Sequence, residues 1–452
     1  MQAVASKPMS TRRERWAWYL YDFGNSAYAA VVLLAVYSAY FKEEVVGGAE
    51  GSRLWGLAVG IAMLVVAVTS PVLGTIADFS GAKKRFLFFF TAMSCLFTAL
   101  LFFVQAGDVL TGMLFFILAE IGYRSAQVFY NSLLPEIASP EEMGRVSGNG
   151  WAIGSGGGIL CLILVLALIM LIGGGVIVRL SLVITAVFFA ASAAPVFLWL
   201  RERAQPQALP EGESYLSVAF KRLARTFQTV KHYREFIKFM VAFLIYNDGI
   251  LMALDFAAIV GAVLFGLNQQ ELIIFMIIVQ VASVAGAYLG GLIADRVDSK
   301  RSLIVSLVLM IASVVWIFFN QSRFGFYVIG ALVGFALTAV QSVSRTTVGM
   351  LSPPGRSAEF YGFFAVAGRT SSFIGPTVYG LIAAEAFQWF DAQGDAARLL
   401  WFKAHPMGTE LAEQLGQRVA LLSIVVFLVV GFVLLLFVNV KKGMAAARAT
   451  ED

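Results

Sequence analysis

One short motif occurs at the same place in each half of the chain. Residues 73–78 read Leu-Gly-Thr-Ile-Ala-Asp and residues 290–295 read Gly-Gly-Leu-Ile-Ala-Asp, so that Gly, Ile, Ala and Asp recur at a constant offset. A chain that repeats itself at half its length is built from two related halves, as in membrane proteins with internal repeats. After four further residues each copy continues with two basic side chains, which are Lys83 and Lys84 in the first and Lys300 and Arg301 in the second.

The composition indicates a membrane protein. Of the 452 residues, 59% are hydrophobic and only 13% are charged, whereas a soluble domain has about 25% charged residues. The two cysteines, Cys95 and Cys161, lie inside apolar stretches and predict neither a disulfide framework nor a metal cluster. The net charge of +5 comes from basic loops, which predicts a membrane topology and no nucleic-acid partner.

Twelve stretches are long and apolar enough to cross a bilayer, which requires about 20 mostly apolar residues. They predict an all-α membrane protein with twelve transmembrane helices in two pseudo-symmetric six-helix bundles. The predicted spans are residues 17–41, 53–77, 86–106, 109–130, 145–172, 177–200, 235–266, 270–294, 302–320, 325–351, 357–384 and 416–440.

Loop charges predict how this body is organised. Lys and Arg concentrate in the two tails, in the central linker and in alternate loops, so both termini are expected to be cytoplasmic. Within the linker, residues 215–234 alternate apolar and basic side chains at helical spacing, which predicts a helix on an anionic leaflet or, alternatively, a solvated basic linker. The predicted segments are a tail (1–16), an N-terminal bundle (17–200), a linker (201–234), a C-terminal bundle (235–440) with an extracytoplasmic loop (385–415), and a tail (441–452).

The repeated motif predicts a mechanical role. Asp78 and Asp295 are expected at the cytoplasmic ends of helices 2 and 8, where a carboxylate pairs with a basic side chain or with the N-terminus of a neighbouring helix. Such a pair would latch one state of a moving protein. In the alternative interpretation, Lys83, Lys84, Lys300 and Arg301 only hold the loops inside. The two loops resemble the signature of the major facilitator superfamily, which implies two six-helix halves around a central cavity.

Ionisable and polar side chains inside the predicted spans are candidates for a functional site, because such residues are costly in a bilayer. An arginine there would bind a carboxylate through two hydrogen bonds, and an acid would bind an ammonium group or carry a proton. The candidates for substrate binding are Tyr21, Asn25, Tyr28, Arg124, Gln127, Tyr246, Asn247, Gln341, Arg345 and Arg369. The candidates for proton coupling are Asp22, Glu120, Asp248 and Asp255.

Alternatives accompany these candidates. Glu120 and Arg124 are one helical turn apart and would neutralise each other as readily as they would bind a solute. Arg345 lies in the cytoplasmic third of its span, where it would also serve as a gate partner of Asp22. Tyr28 and Tyr246 are residue types that more often pack than bind ligands.

Several stretches together carry a closer resemblance. Residues 21–28 read Tyr-Asp-Phe-Gly-Asn-Ser-Ala-Tyr, residues 130–136 read Tyr-Asn-Ser-Leu-Leu-Pro-Glu, residues 246–249 read Tyr-Asn-Asp-Gly, and residues 341–345 read Gln-Ser-Val-Ser-Arg. This set resembles the autophagy-related vacuolar amino-acid effluxer family. For the fungal members the resemblance implies export of amino acids.

The expected function is therefore secondary active transport, as a proton-linked exporter of a small amphoteric solute such as an amino acid. We expect a monomer in the bacterial inner membrane, with no cofactor and no enzymatic activity. The alternatives are export of a drug, a metabolite or a metal ion, and a receptor or scaffold that transports nothing. A metal exporter would need His, Cys or Met among clustered acids, and neither histidine, His232 or His405, lies in a predicted span.

Overall fold

The computed structural model describes residues 10–46, 48–207, 213–228, 233–267, 269–392 and 408–449, and these residues form helices without any strand. In the first half the α-helices are α1 (Arg12–Tyr28), α2 (Tyr37–Tyr40), α3 (Gly48–Ser80), α4 (Lys83–Leu100), α5 (Val109–Ser132), α6 (Leu134–Ile137), α7 (Met143–Ile172), α8 (Gly175–Trp199) and α9 (Tyr215–Gln228). The second half contains α10 (Arg234–Asp255), α11 (Ala257–Phe265), α12 (Gln269–Arg296), α13 (Ser299–Phe319), α14 (Arg323–Leu351), α15 (Ser357–Ala392), α16 (Gly408–Leu436) and α17 (Val440–Arg448).

Ten helical segments within the described residues are long and apolar enough to cross a membrane. They correspond to predicted spans 2–10 and 12. Residues 12–46, which are helical except for a bend at Val36, and helix α15 stand at the places of predicted spans 1 and 11. A multi-pass membrane protein follows from these lengths and from the apolar character of the helices.

The helices group into two compact units. The first contains the described residues of Met1–Tyr233, Arg345–Val366 and Gly443–Asp452, and the second contains those of Arg234–Ser344 and Ala367–Lys442. The end of α14 and the start of α15 therefore pack with the N-terminal helices. Sequence periodicity did not suggest this division, since it groups all residues after the linker together.

Glycines bring α1 and α7 of the first unit into close contact. A Cβ atom added to Gly157 would overlap the carbonyl oxygen of Phe23, and one added to Gly154 would lie 3.1 Å from the carboxyl carbon of Asp22. Small residues allow this approach between helix backbones in membranes. The glycine-rich run at 154–158 thus serves helix packing and places Asp22 against α7.

The first span begins earlier and is less regular than the sequence predicts. Thr11 and Glu14 form a capping box that starts α1 at Arg12, so residues 12–16 are helical and do not belong to a tail. Two π-helical segments, Ala29–Ala35 and Phe41–Val46, then interrupt the α-helix. Such wide turns are rare in proteins, and where they occur they often lie at functional sites.

In the second unit, α10 packs on α16 and ends sooner than predicted. A Cβ atom on Gly431 would overlap Tyr246, and one on Gly249 would overlap Leu428. Helix α10 ends at Asp255 and α11 begins at Ala257, so the predicted span 235–266 is broken at Phe256. The Phe256 ring stacks on Tyr379 at a centroid distance of 3.9 Å, so the break coincides with an aromatic contact.

Two predicted non-helical segments are shorter than expected. The loop predicted at 385–415 is helical through Ala392 and again from Gly408, and residues 393–407 lie outside the described residues. Its helical ends pack through Phe390, Ala412 and Leu415, and this apolar contact extends both helices. The tail predicted at 441–452 contains α17 (Val440–Arg448), where the Asn439 side chain accepts the Lys442 N–H at 3.0 Å as an N-terminal cap.

The linker contains the predicted amphipathic helix, α9. Tyr215, Leu216 and Phe220 are exposed, while Ala219 is buried. The Tyr215 ring contacts Phe79 edge-on, which fastens the start of α9 to α3. That the exposed apolar side chains lie on an anionic leaflet stays a prediction.

Changing Gly157 to Ala should lower the thermal unfolding temperature of the protein, because its new methyl group has no space against Phe23. We expect a loss of about 1–3 kcal/mol, which is typical of overpacking. Thermal unfolding in detergent measures it. The matched control is Gly156→Ala in the same turn, where nothing lies within 4 Å of the added atom; equal effects of both changes would contradict this account.

Candidate functional site

Asp78 caps the first turn of α15. Its two carboxylate oxygens accept the backbone N–H groups of Ala358 at 3.1 Å and Glu359 at 2.8 Å. An anion at a helix N-terminus satisfies unpaired N–H groups and interacts favourably with the helix dipole. A Cβ atom on Gly74, one turn earlier, would overlap the Ala358 carbonyl. The first copy of the motif therefore uses its glycine for approach and its aspartate for capping.

Lys83 completes this cluster from the start of α4. Its Nζ lies 3.1 Å from Asp78 Oδ1 and 2.7 Å from Glu136 Oε1, and it donates to Ser357 Oγ at 2.8 Å. The Lys83 side chain is 1% exposed. Removing an ammonium group from water costs several kcal/mol, and here two carboxylates and a hydroxyl offset that cost. We call Asp78, Lys83, Glu136 and Ser357 the capping cluster.

The other basic residues of the two motif copies have different partners. Lys84 donates to the carbonyls of Phe197 and Leu200 at 3.0 and 2.6 Å. Lys300 donates to the Leu436 carbonyl at 2.7 Å, and Arg301 is exposed. Two copies that are alike in sequence therefore hold their lysines in unlike surroundings.

Ion pairs outside the spans fasten the N-terminal helix and the linker to the same region. Glu142 accepts Arg15 at 2.5 Å and Arg145 at 2.7 Å, and the hydrogen bond from Arg15 holds the pKa of Glu142 below its ordinary value. Arg203 binds Glu14 at 3.0 Å. These contacts fix the start of α1, which carries Asp22 about two to three turns further on.

Arg345, near the end of α14, is buried in the first unit. Its guanidinium donates to the hydroxyl and the carbonyl of Ser147, at 2.9 and 2.6 Å. One nitrogen also lies 3.5 Å from Asp22 Oδ2 and 3.5 Å from Asn131 Oδ1. The sequence named Asp22 as the gate partner of Arg345, and the two side chains are in contact in the structure.

Three aromatic rings surround the same guanidinium. Its central carbon lies 4.9 Å from the ring centre of Trp18, 5.9 Å from that of Tyr130 and 5.7 Å from that of Trp151. Cations within about 6 Å of an aromatic face are attracted to it. We call Trp18, Tyr130, Trp151 and Asp22 the aromatic cage. The sequence did not single out these three rings, although Tyr130 opens one of the stretches that carry the family resemblance.

A second group of polar side chains lies between α1 and α5 in the first unit. Glu120 is 0% exposed and pairs with Arg124 at 2.5 Å, while a fifth of the Arg124 side chain is exposed. The rings of Tyr28 and Tyr123 stack at 4.4 Å. The second Glu120 oxygen and Asn25 Oδ1 accept no hydrogen bond among the described residues. Arg124 thus forms an ion pair with Glu120, and two acceptor oxygens beside this pair have no hydrogen bond among the described residues.

The second unit has its own buried polar group on α10 and α14. Gln341 donates to Asn247 at 2.8 Å, and Tyr246 shares a 2.7 Å hydrogen bond with Ser344. Asp248 accepts the Gly375 N–H at 3.1 Å through one oxygen. Its other oxygen is buried and has no partner within the described part of the chain.

Not every predicted residue joins these groups. Asp255 is exposed at the end of α10, whereas Asp248 is buried; the helix ends there, so the seven-residue spacing does not give the two acids one environment. Gln127 is half-buried on α5. The Arg369 side chain lies outside the described residues. Tyr21 is buried in the first unit and shares a 2.8 Å hydrogen bond with Thr91, and its role in substrate binding stays a prediction.

Comparison with known proteins identifies the family. A model of the family described as Vacuole effluxer Atg22 like matches residues 55–386. The chain belongs to this family. The family resemblance predicted from the sequence is thereby confirmed.

Relatives and solved structures add the superfamily. This Atg22-like chain is 29% identical over 384 residues to the Uncharacterized MFS-type transporter YxiO of Bacillus subtilis (strain 168), covering 82% of this chain and 89% of that protein. It is 28% identical over 266 residues to Autophagy-related protein 22 of Yarrowia lipolytica, covering 53% of this chain and 45% of the relative; the match thus spans about half of that fungal protein. The human organic anion transporter MFSD10 (TETRAN) has the same fold, with a TM-score of 0.69 at 13% identity, covering 95% of this chain and 100% of that one.

These likenesses confirm the all-α fold predicted from the sequence, a membrane transporter fold of the major facilitator superfamily. The Atg22-like chain is a membrane transporter of that superfamily. The roles of individual site residues stay predictions.

Breaking the capping cluster from one side should destabilise the Atg22-like protein strongly. Asp78→Asn and Lys83→Met each leave a buried charge without its full compensation, so we expect each to cost about 3 kcal/mol. The double variant should cost less than the two single changes together, because they share one interaction. Unfolding in detergent measures all three.

The control for this experiment is Glu271→Gln, which breaks a largely exposed ion pair with Arg323 at 2.9 Å and should cost no more than about 1 kcal/mol. Strictly additive effects of Asp78→Asn and Lys83→Met would argue against a coupled cluster.

Proposed function

We propose that the protein is a proton-linked exporter of a small amphoteric solute, such as an amino acid, that works by alternating access. The observation that carries the proposal is the burial of both signs of charge within the spans, above all Asp22 with Arg345. A transporter has reason to keep such costly groups. The family description of an effluxer and the fungal relatives named Autophagy-related protein 22 support the outward direction.

In this proposal Arg345 and Asp22 form a latch that exists in one state of the cycle. Helix α14 starts in the second unit and its residues from Arg345 onward belong to the first, so a contact made by Arg345 is sensitive to any change along this helix. A ligand shifts such an equilibrium only through different affinities for the two states. The capping cluster around Asp78 acts as a second latch at the start of α15.

We assign proton coupling to Asp248 and Glu120. Each is fully buried and has one oxygen without a hydrogen bond among the described residues. A carboxyl group that carries a proton during a cycle needs an oxygen that can take it up, and each of these acids has one. Asp22 is held by Arg345 and belongs to the latch in this scheme, and the exposed Asp255 is a weaker candidate.

We assign the solute to the polar side chains that lie beside these acids. Arg124 has part of its side chain exposed next to buried Glu120, and a guanidinium is suited to a carboxylate through two hydrogen bonds. Within the first unit the proposed solute contacts are Asn25, Tyr28, Arg124 and Gln127. The second unit by itself carries the further candidates Tyr246, Asn247, Gln341 and Arg369. We further propose a monomer in a bacterial inner membrane with both termini cytoplasmic, in line with the loop charges.

Flux of labelled amino acids in proteoliposomes tests the proposal. A pH gradient directed from inside to outside, with the liposome interior acidic, should drive accumulation of at least one amphoteric solute. The pH gradient should dissipate as the solute moves. If only neutral sugars, organic anions or metal ions were transported, the proposed class of solute would be wrong. Absence of any flux, with the purified protein folded, would favour a receptor or scaffold.

Neutral variants of the proposed proton carriers should uncouple the protein from the pH gradient. In Asp248→Asn and Glu120→Gln we expect gradient-driven accumulation to fall at least tenfold while solute exchange at equal pH persists, because exchange needs no net proton movement. The control is Asp108→Asn, an exposed residue whose side chain accepts the Gln105 N–H at 2.9 Å. Unchanged accumulation in both test variants would remove these acids from the coupling scheme.

Loss of the Arg345 side chain should stop net flux. Arg345→Ala leaves Asp22 without its cation, so we expect flux below about a tenth of that of the native protein and a lower thermal stability, as when a buried pair loses one partner. The control on the same helix is Arg323→Ala, whose guanidinium pairs with Glu271 at the surface. Native flux in Arg345→Ala would exclude the latch.

A further inference from the structure

We propose that the aromatic cage is the binding site for the cationic group of the transported solute, and that Arg345 occupies this site in the present structure. The cage would accept an ammonium or a guanidinium group. This inference rests on the proposed function, because it names the part of an amphoteric solute that one site recognises. Trp18, Tyr130 and Trp151 would then determine specificity.

The first argument is the kind of surface that surrounds the Arg345 guanidinium. Trp18, Tyr130 and Trp151 provide three aromatic faces within 6 Å of its central carbon, and Asp22 adds a carboxylate. Aromatic faces combined with an anion are the general means by which proteins bind organic cations. These rings and this carboxylate would attract a guanidinium group of a solute in the same way as they attract that of Arg345.

The second argument concerns how tightly Arg345 is held. Its short hydrogen bonds go to Ser147, at 2.9 and 2.6 Å, whereas Asp22 and Asn131 lie at 3.5 Å. The carboxylate therefore makes only a long contact with the guanidinium. A smaller cation that approaches Asp22 to normal hydrogen-bond distance would gain a stronger contact than Arg345 has.

The third argument is charge balance. Asp22 and Arg345 are both buried, so departure of Arg345 would leave a carboxylate without a cation inside the protein. That arrangement is costly. A cationic group of the solute that enters as Arg345 leaves removes the cost, so that the latch opens more easily when a solute is present. Exchange of one cation for another thus couples occupancy to opening.

The fourth argument concerns hydrogen-bonding groups that have no partner among the described residues. The indole N–H of Trp151 and the side-chain oxygen of Asn25, three residues after Asp22, have no hydrogen-bond partner among them. The donor belongs to the cage itself, and the acceptor lies about one helical turn along α1 from Asp22. An ammonium group bound in the cage has N–H donors for this acceptor.

The test uses two probes of nearly the same shape, ethylguanidinium, which is cationic, and ethylurea, which is neutral. Purified full-length Arg345→Ala has a vacated cage. We expect ethylguanidinium to raise its unfolding temperature at concentrations at least tenfold below those needed for the native protein, in which the probe competes with Arg345. Ethylurea should have no such effect on either protein. If Arg345→Ala does not fold, Arg345→Gln, whose amide group has N–H donors for Ser147, takes its place.

A change within the cage then tests the rings. Trp151→Leu in the Arg345→Ala background should weaken ethylguanidinium binding about three- to tenfold, as expected for one cation–π contact. The matched control is Trp199→Leu, which removes a cation–π contact of Arg13 at 4.3 Å outside the cage and should leave probe binding unchanged. Trp151→Leu in the native chain gives the same comparison at higher probe concentrations if both Arg345 variants misfold.

Equal stabilisation by ethylurea, or unchanged probe binding in Trp151→Leu, would overturn the cage as a cation site. These measurements need no flux, so they separate the two proposals. Probe binding without amino-acid flux would support the cage and contradict the transport proposal. Amino-acid flux with no selective binding of the cationic probe would support the transport proposal and contradict the cage.

Discussion

The need to balance every charge that leaves water governs the arrangement of this protein's helix ends. Lys83 is buried because Asp78 and Glu136 lie within ion-pair distance of it, and Asp78 is buried because it also caps α15. Neither carboxylate nor ammonium would be stable alone in this environment. The start of α15 is therefore fixed against α3 and α4 by electrostatics, with the glycine at position 74 supplying the necessary closeness.

The same requirement links helix packing to the candidate site. Gly154 and Gly157 let α7 approach α1, which brings Asp22 and Ser147 to opposite sides of the Arg345 guanidinium. Larger residues at these glycines would separate the two acceptors. The glycines at positions 154 and 157 thus let acceptors from two helices reach one buried arginine.

Much of the fold followed from the sequence, because apolar length alone defines most spans and the duplicated motif marks two helix ends. For Asp78 the sequence offered a basic side chain or a helix N-terminus as partner, and the structure shows both contacts. For Arg345 it offered Asp22 as one alternative, and the two side chains are in contact. The aromatic cage did not follow from the sequence, because Trp18 and Trp151 are indistinguishable from ordinary packing residues until a cation is placed between them. The end of α15 and the start of α16 were missed for a similar reason: Phe390 and Leu415 make a contact between residues that lie far apart in the sequence.

The difference between the two motif copies limits what a repeat can predict. Lys83 reaches Glu136 and Ser357, which come from other parts of the first unit, whereas Lys300 reaches the carbonyl of Leu436. A duplicated motif determines where its own helix ends. The residues that contact the motif come from other segments, and these segments have diverged between the two halves. Arg345 is the sharpest case, because the offset of 218 residues that carries Pro135 onto Pro353 carries Gln127 onto Arg345. One half supplies a cation and the other an amide, so the charge that binds Asp22 exists only once in this pair of positions, and the two halves need not perform the same task.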